Sequence, residues 1–464
     1  MNLFDPANLT SFNARLKELD PTLSLVEIKK ILVGNGARKE LFNIIDPELE
    51  VMLVMDDTRM FAGGVEIKKE IEEGFFKREI NFKKFVFKSS DYSDGMVHAD
   101  WENVDKVKKE LKEGLCVVSV GSGTVTDISK HAIHTFFEES GIKVPFVVVQ
   151  TANTVTAFTS NIAVLLKDGV KRTYPSTYPD YVISDTEILK DAPFELTQAG
   201  FGDLLARYVS YADWYIGYKC KNLDKYTEVP KTLLDEMLDY LVKNAGKIKE
   251  GDDYAHAVLT KALLNAGISM SIVGMSTPIS GFEHVISHVL DMVCGINKEQ
   301  PMLHGIQVGI ATLFVAYAYE AMLDENDILK KLTFPEWNEV EEKIKREFFA
   351  KGFSNDSVLE MIADYKIKYD KWIESKKDII EFFKFWDSEK KIIRGLIKSG
   401  DEIKSALKEI GINISTRAFP KEMEFAFLSA HFIRRRFTLA DLFFFLNKLN
   451  SGLYKSIVER VSVE

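Results

Sequence analysis

Short runs of consecutive apolar residues alternate with charged stretches of helical period through the first part of the chain, the pattern of a parallel sheet buried on both faces by covering helices. EVMLVMDD (50–57), KKFVFK (83–88), LCVVSVG (115–121) and VPFVVVQT (144–151) are the clearest predicted strands. Between them, VEIKKEIEEGFF (65–76) and WENVDKVKKELKEG (101–114) carry apolar residues three and four apart, as amphipathic helices do. From about residue 189 the β-branched clusters thin out and long helical patterns take over, such as LTQAGFGDLLARYVSYADWYIGY (196–218) and YAHAVLTKALLNAGISMSIVG (254–274). The expected architecture is therefore α/β plus all-α, an α/β domain over 1–188 and a helical domain over 189–464, with a cleft between them. No fixed-period repeat emerges, and no Pro-, Ser- or Gly-rich linker separates the two parts.

Composition narrows the class of protein. With 464 residues, 46% of them hydrophobic, the chain can bury a large core. Its 60 Lys and Arg against 70 Asp and Glu leave a net charge of −10, which argues against a nucleic-acid binder. The longest apolar run, GIATLFVAYAYEAML (309–323), is shorter than the ~20 residues a membrane span needs and is interrupted by Glu320, so it reads as a buried core helix. Cys116, Cys220 and Cys294 are widely spaced without a CxxC pair, and MNLFDPANLTSFNARLKELD reads as neither an export signal nor a transit peptide. A reducing cytoplasm is the expected compartment. The Lys-, Glu- and Phe-rich stretch 325–408 reads as a charged helical extension with solvated faces. Arg434, Arg435 and Arg436, taken as helical, could not all face one ligand.

Two groups of residues carry chemistry. In LCVVSVGSGTVTDISKHA (115–132) a buried strand runs into Gly121, Ser122, Gly123 and Thr124, and a helix opens near Asp127. Exposed N–H groups and a positive helix end at a glycine turn suit a nucleotide pyrophosphate, although a plain tight turn has the same sequence signature. Asp56 and Asp57, at the end of an earlier strand, could accept hydrogen bonds from a ribose diol; an acid there repels a 2′-phosphate and favours NAD over NADP. The second group is Asp203, His284 and His304, one carboxylate and two imidazoles, a set that leaves a divalent metal an open position for a substrate oxygen. His284 and His288 are four apart on one helix face, so either could be the ligand.

The blocks GSGTVTD (121–127), GVKRTYPSTYPDYVISDTEILKDAP (169–193), AGFGDLLARYVSYADW (199–214), STPISGFEHVISHVLD (276–291) and LHGIQVGIATL (303–313) resemble, in this order, the sn-glycerol-1-phosphate dehydrogenase family. That family sits with glycerol dehydrogenase, iron-containing alcohol dehydrogenase and dehydroquinate synthase, and HFIRRRFTLADLFFFL (431–446) is a further echo. The resemblance implies a Rossmann-like N-terminal lobe, a helical C-terminal lobe of the dehydroquinate synthase-like kind, a nicotinamide cofactor (NAD or NADP), one divalent metal (zinc ahead of nickel or iron) and a homodimer. It assigns the metal to Asp203, His284 and His304, and leaves His288 facing the substrate. The pyrophosphate falls to Gly121, Ser122, Gly123 and Thr124 with Asp127 at the helix start, the adenosine ribose to Asp56, and the nicotinamide side to Thr151, Thr154 and Ser160. Arg207, where the family commonly has lysine, keeps a cation able to grip a phosphate, with Lys171 and Arg172 as further candidates.

Three positions depart from the family pattern. Gln150 replaces a proline, Thr156 replaces a substrate-facing aspartate, and Thr277 replaces an arginine. Loss of the aspartate removes a charged acceptor for a substrate hydroxyl while leaving hydride chemistry intact. The resulting expectation is metal-dependent, NAD(P)H-linked reduction of a small phosphorylated ketone or aldehyde, foremost dihydroxyacetone phosphate to sn-glycerol 1-phosphate. The alternatives are a related polyol dehydrogenase, a dehydroquinate synthase-like lyase, and a catalytically retired paralogue that binds a partner through the 325–408 region.

Overall fold

A computed structural model describes residues 4–167 and 170–462, so Gly169, the first residue of one family-like block, lies outside the described residues. Six parallel strands form the main sheet: β1 (Lys30–Gly34), β2 (Glu50–Asp56), β3 (Phe82–Phe87), β4 (Leu115–Gly121), β5 (Phe146–Gln150) and β6 (Tyr181–Asp185). Their spatial order is β1-β6-β5-β4-β2-β3. All four expected strands are present to within two residues at either end. β1 and β6 were not singled out beforehand, because the short runs KILVG and YVISD are too brief to stand out as apolar. The continuous apolar runs reflect burial on both faces: Val51, Leu53, Met55, Val118, Val120 and Val149 pack in one cluster with Ile67, Ile71 and Phe75. Met52, Val54, Val117 and Val148, from the opposite face, are just as fully buried.

The chain falls into two compact units, one of residues 1–201 and 232–275, the other of residues 202–231 and 276–464. This differs from a single cut after residue 188, because periodicity reports that a segment is helical and says nothing about which elements it packs on. The helix Asp253–Val273 belongs with the sheet and touches β1. The second unit is helical. Its helix His304–Leu323 is longer than the apolar run it contains, with 20 residues, and together with Asp253–Val273 it is long and apolar enough to cross a membrane; both are largely buried within the protein. The 325–408 stretch forms five main helices, Trp337–Phe349, Asn355–Glu374, Lys376–Lys384, Trp386–Leu396 and Gly400–Glu409. Each turns apolar residues inward, among them Ile344, Phe348, Trp372, Ile379 and Ile393, and most of the charge lies on outer faces as expected, with Asp364, Lys368, Glu389 and Lys404 buried instead.

Candidate active site

In the first unit, β2 connects onward to β3 while β4 connects to β5 on the other side, so the strand order reverses between β2 and β4. Crevices outside the carboxyl ends of strands at such a reversal are where open α/β sheets bind ligands. Met55 pairs with Val120, which sets Asp56 beside Gly121, and Gly121 in turn pairs with Gln150. The Thr151 amide donates to the Gly121 carbonyl at 3.2 Å. Gly121, Ser122, Gly123, Thr124, Thr151 and Asp56 are thereby gathered along one edge. The helix Gly123–Ser140 starts there, with Ser122 as its cap and no side-chain hydrogen bond on its first amides. The glycines are needed for close packing: a Cβ on Gly123 would stand 2.5 Å from Val155 Cγ2, and one on Gly121 would stand 2.8 Å from Val125 Cβ.

The loop after β5 is built around the departure at Gln150. Its side-chain amide donates to the Ala152 carbonyl (3.1 Å) and Asn153 Oδ1 (3.0 Å), and it accepts from Ser184 Oγ at 2.6 Å. Asn153 then donates to Thr260 Oγ1. The hydroxyls of Thr151 and Thr154 are buried without a hydrogen-bond partner, a state that asks for a polar ligand. Ser160 and Asp127 are occupied. Ser160 Oγ accepts from Lys130 and donates to the Ile162 carbonyl, while Asp127 pairs with Lys130 Nζ at 2.9 Å and accepts from the Val164 amide. Burial raises the pKa of Asp127 and lowers that of Lys130, so each needs the other to stay charged. These two therefore brace the loop from inside. Asp56 Oδ1 takes a salt bridge from Lys68 at 2.6 Å, and Thr156 begins the short helical turn Ala157–Thr159. Lys171 and Arg172 lie on the second strand of the hairpin Ile162–Lys167 and Val170–Pro175.

The second unit holds the metal-type trio. Asp203 ends the helix Phe194–Leu205, His284 lies in the first turn of Phe282–Asn297, and His304 opens His304–Leu323. One ligand atom from each residue lies within 4.8 Å of the others. The close approach has a backbone cause: a Cβ on Gly202 would meet the Gly305 carbonyl oxygen at 2.2 Å, so the Asp203 and His304 helices touch main chain to main chain. His284 Nδ1 lies 2.9 Å from Glu283 Oε1, and His304 Nδ1 lies 2.9 Å from Ser287 Oγ, which donates onward to Gln307 Oε1. Both imidazoles therefore carry their proton on Nδ1 and turn an Nε2 lone pair inward. His284 Nε2 stands 3.2 Å and His304 Nε2 3.9 Å from Asp203 Oδ1, which is buried without a well-aligned hydrogen bond. Lone pairs facing a carboxylate oxygen require a proton or a cation between them, so the donor set fits a divalent ion. Burial opposes a charge on His284, yet its bonds to Asp203 and Glu283 push its pKa up to about 9.

Supporting residues escaped the sequence reading. Asp213 accepts from the first amides of two helices, Phe282 at 2.7 Å and Leu439 at 2.8 Å, and so anchors the helix that carries His284. Burial and the neighbouring Glu283 push its pKa up to about 7. Glu283, Ser287 and Gln307 sit one to three residues from the ligands, and that adjacency in EHVISH and HGIQ was the available signal. Arg207 is buried, donates to the Leu396 carbonyl at 2.9 Å and lies over Tyr208 and Tyr211. The 434–436 arginines are not helical: Arg434 is extended (φ −143°, ψ 149°), and the three have separate partners. Arg434 reaches His288 Nδ1 at 3.1 Å, Arg435 reaches Asp364, and Arg436 donates to Ser276 and Ser280, bringing a guanidinium to the block where Thr277 replaces the family's arginine.

A parallel sheet with a strand-order reversal in one unit and a one-carboxylate, two-imidazole set that could hold a metal in the other are the features expected of a metal-containing dehydrogenase of the alcohol dehydrogenase class. The family model described as iron-containing alcohol dehydrogenase matches residues 36–193. The glycerol-1-phosphate dehydrogenase [NAD(P)+] of Bacillus velezensis is 30% identical over 302 residues, 64% of this chain and 73% of the relative. That of Methanosarcina acetivorans is 28% identical over 313 residues, 66% of this chain and 81% of the relative. Among solved structures, an iron-containing alcohol dehydrogenase from Thermotoga maritima superposes with a TM-score of 0.55 at 17% identity, covering 94% of this chain and 99% of that one. The chain belongs to the glycerol-1-phosphate dehydrogenase family. It is an NAD(P)-dependent oxidoreductase acting on CH–OH groups, with a metal ion.

Proposed function

We propose that the chain reduces dihydroxyacetone phosphate to sn-glycerol 1-phosphate, with Asp203, His284 and His304 holding one divalent ion. The observation that carries this reading is the trio with both of its imidazole lone pairs aimed at a buried carboxylate oxygen, in a chain whose curated relatives are named for this product. Zinc is the ion we favour, since two imidazoles and a carboxylate plus an open position suit it, as they also suit nickel and iron(II). When bound, the ion supplies a Lewis acid for charge growing on the carbonyl oxygen, and the dinucleotide supplies the hydride.

The protein's own residues do the rest. Glu283, and Ser287 with Gln307, keep the two imidazoles turned and in one tautomer. The first amides of Gly123–Ser140 offer N–H donors to a pyrophosphate, and the positive end of that helix favours its charge. Thr151 and Thr154 offer hydroxyls to the nicotinamide side, Asp56 takes the ribose diol, and His288 faces the substrate.

The test is a screen of NADH and NADPH oxidation across phosphorylated and free small carbonyls. Dihydroxyacetone phosphate should react best; turnover of unphosphorylated carbonyls alone would sink the assignment. Metal analysis should find one divalent ion per chain, and His304→Ala should lose it together with roughly 1000-fold or more in rate, the scale of several kcal/mol of transition-state stabilisation. A homodimer is part of the same reading, checked by light scattering on the eluting protein.

A further inference from the structure

We propose that Arg434, working through its contact with His288, is the anchor for the substrate's phosphate. The proposal rests on the reading of the substrate as a phosphorylated carbonyl. It starts from the non-helical segment between the short helical turn Ala430–Ile433 and the helix Leu439–Phe445. The contacts there place Arg434 and Arg436 on the side of the histidine helix, against His288 and against Ser276 and Ser280, while Arg435 turns to Asp364. Arg436 is half-buried and tied to Ser276 and Ser280 just before that helix, so its guanidinium already serves to hold the helix start. Arg434 is equally half-buried, with its guanidinium against His288.

The chemistry of the contact is specific. A guanidinium only donates, so His288 Nδ1, 3.1 Å from Arg434 Nη2, must be the acceptor. The ring proton of His288 then sits on Nε2, and His288 is a hydrogen-bond donor instead of a third imidazole ligand. The two histidines of one helix face are thereby differently engaged: His284 has Nδ1 on Glu283 and Nε2 toward Asp203, whereas Nδ1 of His288 accepts from Arg434. The His288 ring lies nearly parallel to His304, with centroids 5.9 Å apart and an interplanar angle of 22°, and its centroid is 6.5 Å from that of His284. A cation and a neutral N–H donor thus stand together one ring away from the metal ligands. Such a pair suits a dianionic phosphate borne on the carbon next to a reacting carbonyl, and a guanidinium can meet two phosphate oxygens at once.

The experiment compares Arg434→Gln, Arg434→Lys and Arg435→Gln in the metal-loaded enzyme. Arg435→Gln removes the same charge beside Asp364 and serves as the control. Steady-state kinetics are measured with dihydroxyacetone phosphate and with dihydroxyacetone, and inorganic phosphate is added as a thermal-shift probe. Arg434→Gln should lower kcat/KM for the phosphorylated substrate on the order of 100-fold, mostly through KM, the scale of lost charge-assisted hydrogen bonds. Dihydroxyacetone turnover should stay within a few-fold, the phosphate-induced rise in melting temperature should vanish, and lysine should restore part of each. An Arg434→Gln enzyme that keeps both its preference for the phosphorylated substrate and its response to phosphate would overturn the assignment of Arg434 alone. A wild-type enzyme with no preference for the phosphorylated substrate would overturn the underlying reading, and this proposal with it.

Discussion

At the scale of single residues, the proposed metal trio depends on what stands behind it. Glu283 holds His284 by Nδ1, and its other oxygen, Oε2, is buried without a hydrogen bond, so it acts as a charge in a place that water does not reach. Replacing it with glutamine keeps the shape and removes the charge. Glu283→Gln should weaken metal binding by roughly 10–100-fold, the usual cost of losing a ligand's supporting partner, and competition with a chromogenic chelator reads this directly. Asp56 makes a sharper case than the sequence suggested, because Lys68 Nζ donates to its Oδ1, to its carbonyl and to the Thr58 carbonyl. Asp56→Gly would remove the acid and leave the lysine. The ratio of kcat/KM for NADPH over NADH should therefore rise, and an unchanged ratio would place the adenosine ribose elsewhere.

At the scale of elements, small residues decide whether the site closes. Gly202 and Gly305 bring the Asp203 and His304 helices into backbone contact, and Gly309 extends the crossing, its Cβ position lying 3.0 Å from Gly202 Cα. Gly202→Ala would place a methyl 2.2 Å from the Gly305 carbonyl oxygen, a contact that only a shift of one helix relieves. The expected outcome is loss of stoichiometric metal together with a destabilisation of roughly 1–3 kcal/mol, the usual range for overpacking, checked by metal analysis and urea unfolding. The family blocks AGFGDLLARY and LHGIQVG were legible as sequence. That their glycines face one another was not, because two distant segments show no periodicity in common.

At the scale of the whole molecule, buried histidines set the acid limit. Burial pushes the pKa of His131 in the first unit, and of His431 in the second, down to about 4, so both are neutral in the fold. In the unfolded chain they titrate near 6.5, and between that pH and 4 the unfolded state holds more protons. Stability should therefore fall as pH drops through this window, by up to roughly 3 kcal/mol for each histidine, and be insensitive to these two groups below it. Urea unfolding from pH 7 to pH 4 checks the slope, which His131→Gln should make shallower. The amino-acid order alone settled the class of architecture and four of the six sheet strands, because runs of apolar residues are local properties of a chain; Asp203, His284 and His304 were singled out together only through the family resemblance, since the residues by themselves left His284 and His288 equivalent. Tertiary structure decided which helices pack with the sheet, that Asp127 and Ser160 bond inside the loop and Arg207 to the Leu396 carbonyl, and that three consecutive arginines leave the helix for separate partners, one of them His288. Those outcomes depend on which distant groups meet a side chain and on how much water remains around it, and neither quantity is written in any single stretch of residues.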